Sequence, residues 1–102
     1  MRDDDVLIGS LLEESWLTIE QLSSACRAEP QWLLRRLEEG LLPDAQCVGG
    51  TWRFSSATVL RARRMRRLEQ DFDAVPELAA LVADALEELD ELRTRLRRAG
   101  LE

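Results

Sequence analysis

The stretch with the most concentrated chemistry is LRARRMRRL, residues 60–68, which holds five arginines in nine residues. Guanidinium groups repeated along a helix can neutralise the phosphates of a nucleic acid. Like charges three and four residues apart repel by roughly a few tenths of a kcal/mol per pair, so the arginines are expected to contact a binding partner or to be paired with acids elsewhere in the fold. We expect most of these partners to be acids of the same chain. The candidates are Glu69, Asp71, Asp73 and the acids within residues 84–91.

Other residues capable of catalysis or metal binding are scarce. The chain has two cysteines, Cys26 and Cys47, which lack CxxC spacing, and it has no histidine. A zinc site needs more nitrogen or sulfur ligands than this, and histidine is the commonest general base. No serine, cysteine or aspartate lies in a nucleophile motif. We therefore expect a protein that is not an enzyme, with two reduced thiols and with no metal, cofactor or small-molecule substrate.

The charges are distributed unevenly along the 102 residues. Residues 53–68 carry six arginines and no acid, residues 69–92 carry nine acids and no base, and the net charge is −6. A basic block beside a longer acidic block can neutralise itself within a chain or across a dimer. DNA-binding domains are more often basic overall. The charge balance therefore argues against direct DNA binding.

The length and the hydropathy indicate one small domain without a membrane segment. No apolar run approaches the roughly 18 residues that can span a bilayer. The first residues, MRDDDVLI, are acidic where a secretory signal would be basic. We expect a cytoplasmic protein. Residues 1–15 give no clear prediction, because VLIGSLLEESW fits a strand or a helix.

Two short helices joined by a tight turn are predicted near the start of the domain. Thr18 and Gln21 have the T-x-x-Q spacing of a capping box, in which each side chain satisfies a backbone N–H of the other residue. Pro30 suits the first position of a second helix, and Gly40 suits a left-handed cap at its end. These signals predict a helix-turn-helix.

A small β-hairpin, or wing, and a third helix are predicted next. Gly49 and Gly50 between Val48 and Thr51 form a two-residue hairpin signal, because both glycines tolerate positive φ. Ser55 or the serine after it can cap the helix that carries the arginines. The expected core-facing positions of that helix are Val59, Ala62, Met65, Leu68 and Phe72.

The last helix is predicted to begin at Pro76 and to carry a heptad seam. Acids fill its first half and arginines its end, so two copies would complement each other in an antiparallel pair. We expect a homodimer, with residues 1–74 as the winged domain and residues 75–102 as the dimerisation helix. The alternative is that the seam packs only against its own domain. The expected interface residues are Leu78, Val82, Ala85, Leu89, Leu92 and Leu96.

This order of elements resembles the MerR superfamily over about residues 16–98. PQWLLRRLEEGLL resembles the MerR second helix with its closing glycine-leucine, and TWRFSS resembles the junction between wing and helix. Within the superfamily, TWRF, RRLEQDFD and VPELAALVADALEELDELRTRLRR resemble the chaperone-modulator CbpM family. The implied fold is mainly α: a MerR-like winged helix-turn-helix with a small β-hairpin wing and a C-terminal coiled-coil dimerisation helix.

The chain departs from DNA-reading MerR proteins at the positions that grip the duplex. Those proteins carry a Thr-hydrophobic-Arg-Tyr-Tyr run where this chain has WLLRR, residues 32–36, and a Tyr-Arg-x-Tyr run where it has TWRF. Trp52 stands where they place a phosphate-gripping arginine. Of the three tryptophans, we expect Trp16 and Trp32 in the core and Trp52 at the surface. The predicted protein-binding surface consists of Glu38, Glu39, Asp44, Trp52, Arg53 and Phe54.

Resemblance to the CbpM family implies a partner and an activity. Its members bind the J-domain of CbpA, a DnaJ-like co-chaperone, block the contact of that domain with the Hsp70 chaperone DnaK, and reduce the DNA binding of the co-chaperone. J-domains engage Hsp70 through a basic helix, which an acidic protein with exposed aromatic side chains is suited to cover. The competing hypothesis is a MerR-type transcription regulator that binds DNA through the arginine helix and the wing.

Overall fold

The structure is a computed structural model that describes residues 16–101, and the open predictions for residues 1–15 lie outside this range. Within it, four helices accompany one two-stranded antiparallel hairpin. This arrangement confirms the predicted fold class. The elements are α1 (Ile19–Cys26), α2 (Pro30–Glu38), β1 (Gln46–Val48), β2 (Thr51–Arg53), α3 (Ser56–Phe72) and α4 (Pro76–Arg98).

The helix-turn-helix begins and ends at the predicted residues. The Thr18 N–H donates to Gln21 Oε1 at 2.9 Å, and the Gln21 N–H donates to Thr18 Oγ1 at 3.2 Å, which is the reciprocal pair of a capping box. Pro30 opens α2, and Gly40 follows its end with a φ of 77°. Local sequence signals therefore determine both helices.

The wing is a tight hairpin fixed to the rest of the domain at its base. Gly49 and Gly50 both have positive φ, 59° and 80°, as a two-residue turn between twisted strands requires. At the base, the N–H of Leu17 donates to Phe54 O at 2.7 Å and the N–H of Phe54 donates to Leu17 O at 2.9 Å. Both side chains are buried. The wing is thus anchored to the segment that precedes α1.

One hydrophobic core joins the helix-turn-helix to α3 and α4. Of the predicted core-facing positions of α3, Val59, Ala62 and Met65 are buried. Phe72 is 72% exposed, so its assignment to the core was wrong. It is the last residue of α3, and the chain turns at Asp73, which has a φ of 54°, before α4 begins. No element of the described chain covers the ring at this corner.

α4 has two opposite faces. Ala79, Ala80 and Ala83 are buried in the shared core, and their small side chains allow close packing of α4 on the domain. At about 100° per residue, the predicted seam lies about half a turn away from these alanines. Its leucines are 41–51% exposed. Its own domain therefore covers the seam only in part within residues 16–101; Val82 is half-buried and Ala85 is exposed. The leucines are Leu78, Leu89, Leu92 and Leu96.

Candidate partner-binding surfaces

The second arginine of α2 does not face solvent. Arg36 is buried and donates to both carboxylate oxygens of Glu69 on α3, from Nε at 2.9 Å and from Nη2 at 2.7 Å. Its Nη1 donates to Glu39 Oε1 at 3.1 Å. The Trp32 indole N–H donates to Glu69 Oε1 at 2.9 Å, and the Arg36 guanidinium lies 5.0 Å from the centre of the indole ring. This cluster joins α2 to α3.

The electrostatics of the cluster hold both partners in their charged forms. Burial alone would raise the pKa of Glu69, but hydrogen bonds from Arg36 and Trp32 outweigh it and lower the pKa below its ordinary value. The hydrogen bond to Glu69 raises the pKa of Arg36, against the opposite effect of burial. The Arg36–Glu69 pair is bidentate, the strongest geometry for such a contact. Arg36 is therefore committed to the interior and is not placed to contact a phosphate.

The exposed face of the helix-turn-helix and wing carries more acid than base. We define the reading face as the exposed surface of residues 30–53, which comprise α2, the loop after it and the wing; its exposed charged residues are Arg35, Glu38, Glu39, Asp44 and Arg53. The reading face thus carries two arginines and three carboxylates, and one of these carboxylates, Glu39, accepts a hydrogen bond from Arg36. The predicted positions Glu38, Glu39, Asp44 and Arg53 are all exposed. The face has no excess of positive charge with which to neutralise a phosphate backbone.

The aromatic residues of the wing have different environments. Trp52 is 37% exposed, in accord with a surface position, whereas Phe54 is fully buried. Including Phe54 in the surface was therefore wrong: although it shares a strand face with Trp52, it lies at the base of the wing, where it bridges to Leu17 and joins the core. Arg53 projects from the opposite face of the strand to Trp52. The surface role predicted for the aromatic pair is thus left to Trp52 alone.

The other tryptophans split between core and surface. Trp32 is buried, as predicted. Trp16 is 41% exposed, so its expected place in the core was wrong. It immediately precedes Leu17, whose buried side chain points inward, and neighbouring residues of an extended segment point in opposite directions.

Two arginines of α3 pair with acids of α4, as predicted. Arg61 Nη1 contacts Asp84 Oδ1 at 2.6 Å and Glu87 Oε2 at 3.2 Å, and Arg64 Nη2 contacts Asp90 Oδ2 at 2.7 Å. Arg61 is buried. Burial would lower its pKa, but hydrogen bonds and charges from the two acids outweigh it and raise the pKa.

The other three arginines of α3 form no ion pair with the acids of the described chain. Arg63 donates through Nε and Nη2 to the carbonyl of Ala25, at 2.9 and 2.7 Å. The Arg66 guanidinium lies 5.6 Å from the centre of the Trp32 ring. Arg67 is exposed and forms no ion pair within residues 16–101.

The three acids that follow the arginine run do not form the predicted ion pairs with it. Glu69 forms its ion pair with Arg36 of α2 rather than with the arginines that precede it on α3. Asp71 and Asp73 form no ion pair among the described residues. The neutralisation of the arginine helix therefore comes from α4 alone, and only for part of the run.

Potential metal, thiol and membrane sites can be assessed for the described residues. Residues 16–101 contain no group of three or more acidic or cysteine side chains arranged to hold a metal ion. Both cysteines are free. Cys26 donates to Leu22 O at 2.9 Å, and burial raises the pKa of its thiol, so it is not poised as a nucleophile. In the same part of the chain, no helix is both long and apolar enough to cross a membrane.

Comparison with known proteins assigns the chain to a family. The family described as MerR HTH family regulatory protein matches residues 17–99. The chain belongs to this family. The match extends from the bridge residue Leu17 across the whole of α4, so the MerR-like part of the recognition is confirmed. MerR domains of this kind are regulatory rather than enzymatic. No curated protein and no solved structure matches the chain.

Part of the cluster formed by Trp32, Arg36 and Glu69 in this MerR domain is predictable from the sequence, and part is not. Trp32 and Arg36 are four residues apart on a helix, which is a spacing that brings a ring and a cation together. No sequence signal pointed to Glu69 as their partner, because it lies 33 residues beyond Arg36. The burial of Arg36 is the feature that most changes the interpretation of the reading face, and it depends on that distant contact.

Proposed function

We propose that this MerR-family chain is a non-enzymatic modulator that binds the J-domain of a DnaJ-like co-chaperone of the CbpA type. By covering that domain it would block the contact with DnaK and reduce the co-chaperone and DNA-binding activities of its partner. The partner follows from the resemblance of the wing, of RRLEQDFD and of the last helix to the CbpM family. The physical properties of the reading face support it.

One observation carries the proposal. The reading face exposes three carboxylates against two arginines, and the arginine at the end of the WLLRR run, Arg36, is bound internally to Glu69. Binding to a duplex gains its affinity from Lys and Arg contacts to phosphates. A face depleted of such contacts is suited to a cationic protein surface, and the basic helix of a J-domain is such a surface.

The exposed indole of Trp52 gives this face an apolar anchor. Aromatic side chains dominate the binding energy of many protein interfaces, whereas charged residues at the rim mainly set the association rate and the choice of partner. Trp52 lies on β2 opposite Cys47 of β1, and both residues are exposed. In the complex, burial of the ring would hold the two proteins together, and Glu38, Glu39 and Asp44 would steer the encounter.

The functional unit is proposed to be an antiparallel homodimer formed through α4. The seam positions are symmetric about residue 87, so two antiparallel copies place Leu78 opposite Leu96 and Ala85 opposite Leu89. A parallel pair would place Ala85 against Ala85 and the acidic half against itself. The antiparallel pair combines small with large residues and acidic with basic halves. This arrangement leaves both reading faces free for partners.

Substitution of Trp52 tests the proposal. We expect wild-type protein to bind the J-domain of a CbpA-like protein from the same organism at micromolar concentrations in titration calorimetry. Trp52→Ala should weaken the complex by roughly tenfold to a hundredfold, since an anchoring aromatic contributes about 2 kcal/mol or more. Helical circular dichroism should be unchanged, because the ring is partly exposed.

Trp16→Ala is the matched control, because Trp16 is exposed to a similar degree but precedes the helix-turn-helix. Its effect on J-domain affinity should be less than about twofold, as for surface positions outside a hot spot. Equal losses in the two variants would contradict the assignment of the wing. Absence of any complex with the wild-type protein would contradict the proposal itself.

The second candidate is a DNA-binding transcription regulator, and the family assignment together with the α3 arginines favours it. Arg66 and Arg67 have no ion pair within residues 16–101, so part of the arginine helix is available to an anion. A regulator that neutralises several phosphates should lose roughly a thousandfold in affinity between about 50 and 200 mM salt. Fluorescence anisotropy with labelled duplexes distinguishes the candidates: a tight duplex complex with that salt dependence favours regulation, and its absence favours the modulator.

A further inference from the structure

A concavity between the end of α1 and one side of α3 is lined by five arginines. Its volume is about 740 Å³, within the range of roughly 300–1,000 Å³ that small-molecule sites occupy. We call it the arginine concavity; its cationic residues are Arg27, Arg63, Arg64, Arg66 and Arg67. The only carboxylate in its lining is Asp71. A site this cationic within a chain of net charge −6 calls for a specific explanation.

Two of these guanidinium groups contain a nitrogen atom without a hydrogen-bond partner among the described residues. Arg64 uses Nη2 to bind Asp90, while its Nη1 is buried and has no hydrogen-bond partner among the described residues. The Nε of Arg66 is likewise buried and without a partner in that part of the chain. Buried N–H donors without partners are rare, because each costs about 1–3 kcal/mol. Both nitrogens are shielded from solvent, so an anion in the concavity would contact the exposed arginines of its lining, Arg27, Arg63 and Arg67.

The backbone at the rim of the concavity is in an unfavourable conformation at one arginine. Arg27 ends α1 in the left-handed conformation, with a φ of 53°. Glycine or asparagine normally fills such a position, and other residues pay a steric cost there. An arginine at this position places a cation on the concavity at a cost in backbone energy. Asp73, the other non-glycine residue with positive φ in the described chain, is of a type that tolerates this conformation.

We propose that the arginine concavity binds a small phosphate-bearing anion. Planar guanidinium groups match the tetrahedral oxygens of phosphate through paired N–H···O bonds. Here Arg27 and Arg67, which are exposed and form no ion pair within residues 16–101, would contact the anion, and Arg63, Arg64 and Arg66 would add positive charge around it. The volume of the concavity, about 740 Å³, is that of a small-molecule site. The site is separate from the reading face and does not depend on the J-domain proposal.

Titration calorimetry with inorganic phosphate, pyrophosphate and ATP, each at low ionic strength, tests the site. The combined variant Arg27→Gln and Arg67→Gln removes two rim charges that have no ion pair within residues 16–101, so the fold should persist. We expect pyrophosphate or ATP to bind wild-type protein, and the double variant to bind about tenfold or more weakly. Phosphate alone should bind more weakly than either, because it has fewer charges.

The matched control removes two arginines elsewhere, Arg35→Gln and Arg53→Gln, both on the reading face and both exposed. It changes the net charge equally and should leave anion affinity within about twofold. Equal losses in the two double variants would mean diffuse attraction and would overturn the proposal. It would also be overturned if none of the three anions bound, or if only duplex DNA or an acidic peptide bound to the concavity.

Discussion

Truncation of one seam leucine gives a quantitative test of the antiparallel dimer. Leu92 is 51% exposed, so about half of its side chain remains to be buried. Full burial of a leucine contributes about 1.5–3 kcal/mol, and the remaining half therefore contributes about 1 kcal/mol. Each dimer contains two copies, so Leu92→Ala should cost about 2 kcal/mol of association free energy. At about 1.4 kcal/mol per tenfold, the dissociation constant should rise roughly 25-fold.

Sedimentation equilibrium over a range of micromolar concentrations measures this change. Leu60→Ala is the matched control, because Leu60 is 45% exposed but lies on α3, away from the seam. Its dimer dissociation constant should stay within about twofold of the wild type. If the wild-type protein remains monomeric throughout, or if the Leu60 variant dissociates as readily as the Leu92 variant, the proposed interface is wrong.

Three further predictions concern the ion pairs that hold the helices together. Glu69→Gln leaves the buried Arg36 with only Glu39 as a charged partner and should lower the free energy of unfolding by about 3 kcal/mol in urea titrations. Asp71→Asn, a nearby control without an ion pair in the described chain, should change it by less than about 0.5 kcal/mol. The pKa of Glu69 is lower in the folded state than in the unfolded state, where it is about 4.3. The ionised carboxylate therefore stabilises the fold fully above that pH, and this contribution is lost as the pH falls below it. When the free energy of unfolding is measured against pH, it should fall less steeply toward acid in Glu69→Gln than in the wild type. Asp90→Asn, at a more exposed pair with Arg64, should cost only about 0.5 kcal/mol, and a loss as large as that of Glu69→Gln would contradict the ranking by burial.

The features predicted correctly from the sequence are those that short segments encode. The capping box at Thr18, the helix start at Pro30 and the Gly49-Gly50 turn depend on residues within a few positions of each other, and each appears where expected. The heptad spacing of α4 also identified a continuous apolar face. The seam leucines are 41–51% exposed, and the expected dimer in which a second chain covers them remains a prediction.

The features that the sequence did not reveal depend on contacts between distant segments. Phe54 is next to a surface strand in sequence, but its bridge to Leu17 places it in the core. Phe72 fits the period of the α3 core face, but the helix ends there, so the ring has nothing to pack against. Arg36 has the character of a surface residue of α2, and only Glu69 of α3 explains its burial. Periodicity identifies a face without showing where the neighbouring elements begin and end.

Hydrogen exchange of residues 1–102, alone and with a stoichiometric J-domain of a CbpA-like protein, tests most directly whether the reading face binds a protein. We predict slower exchange of backbone amides in α2 and in both wing strands when the J-domain is present, with little change along α1. Unchanged exchange in the wing at concentrations that saturate the complex, or protection by duplex DNA in place of the J-domain, would contradict the account.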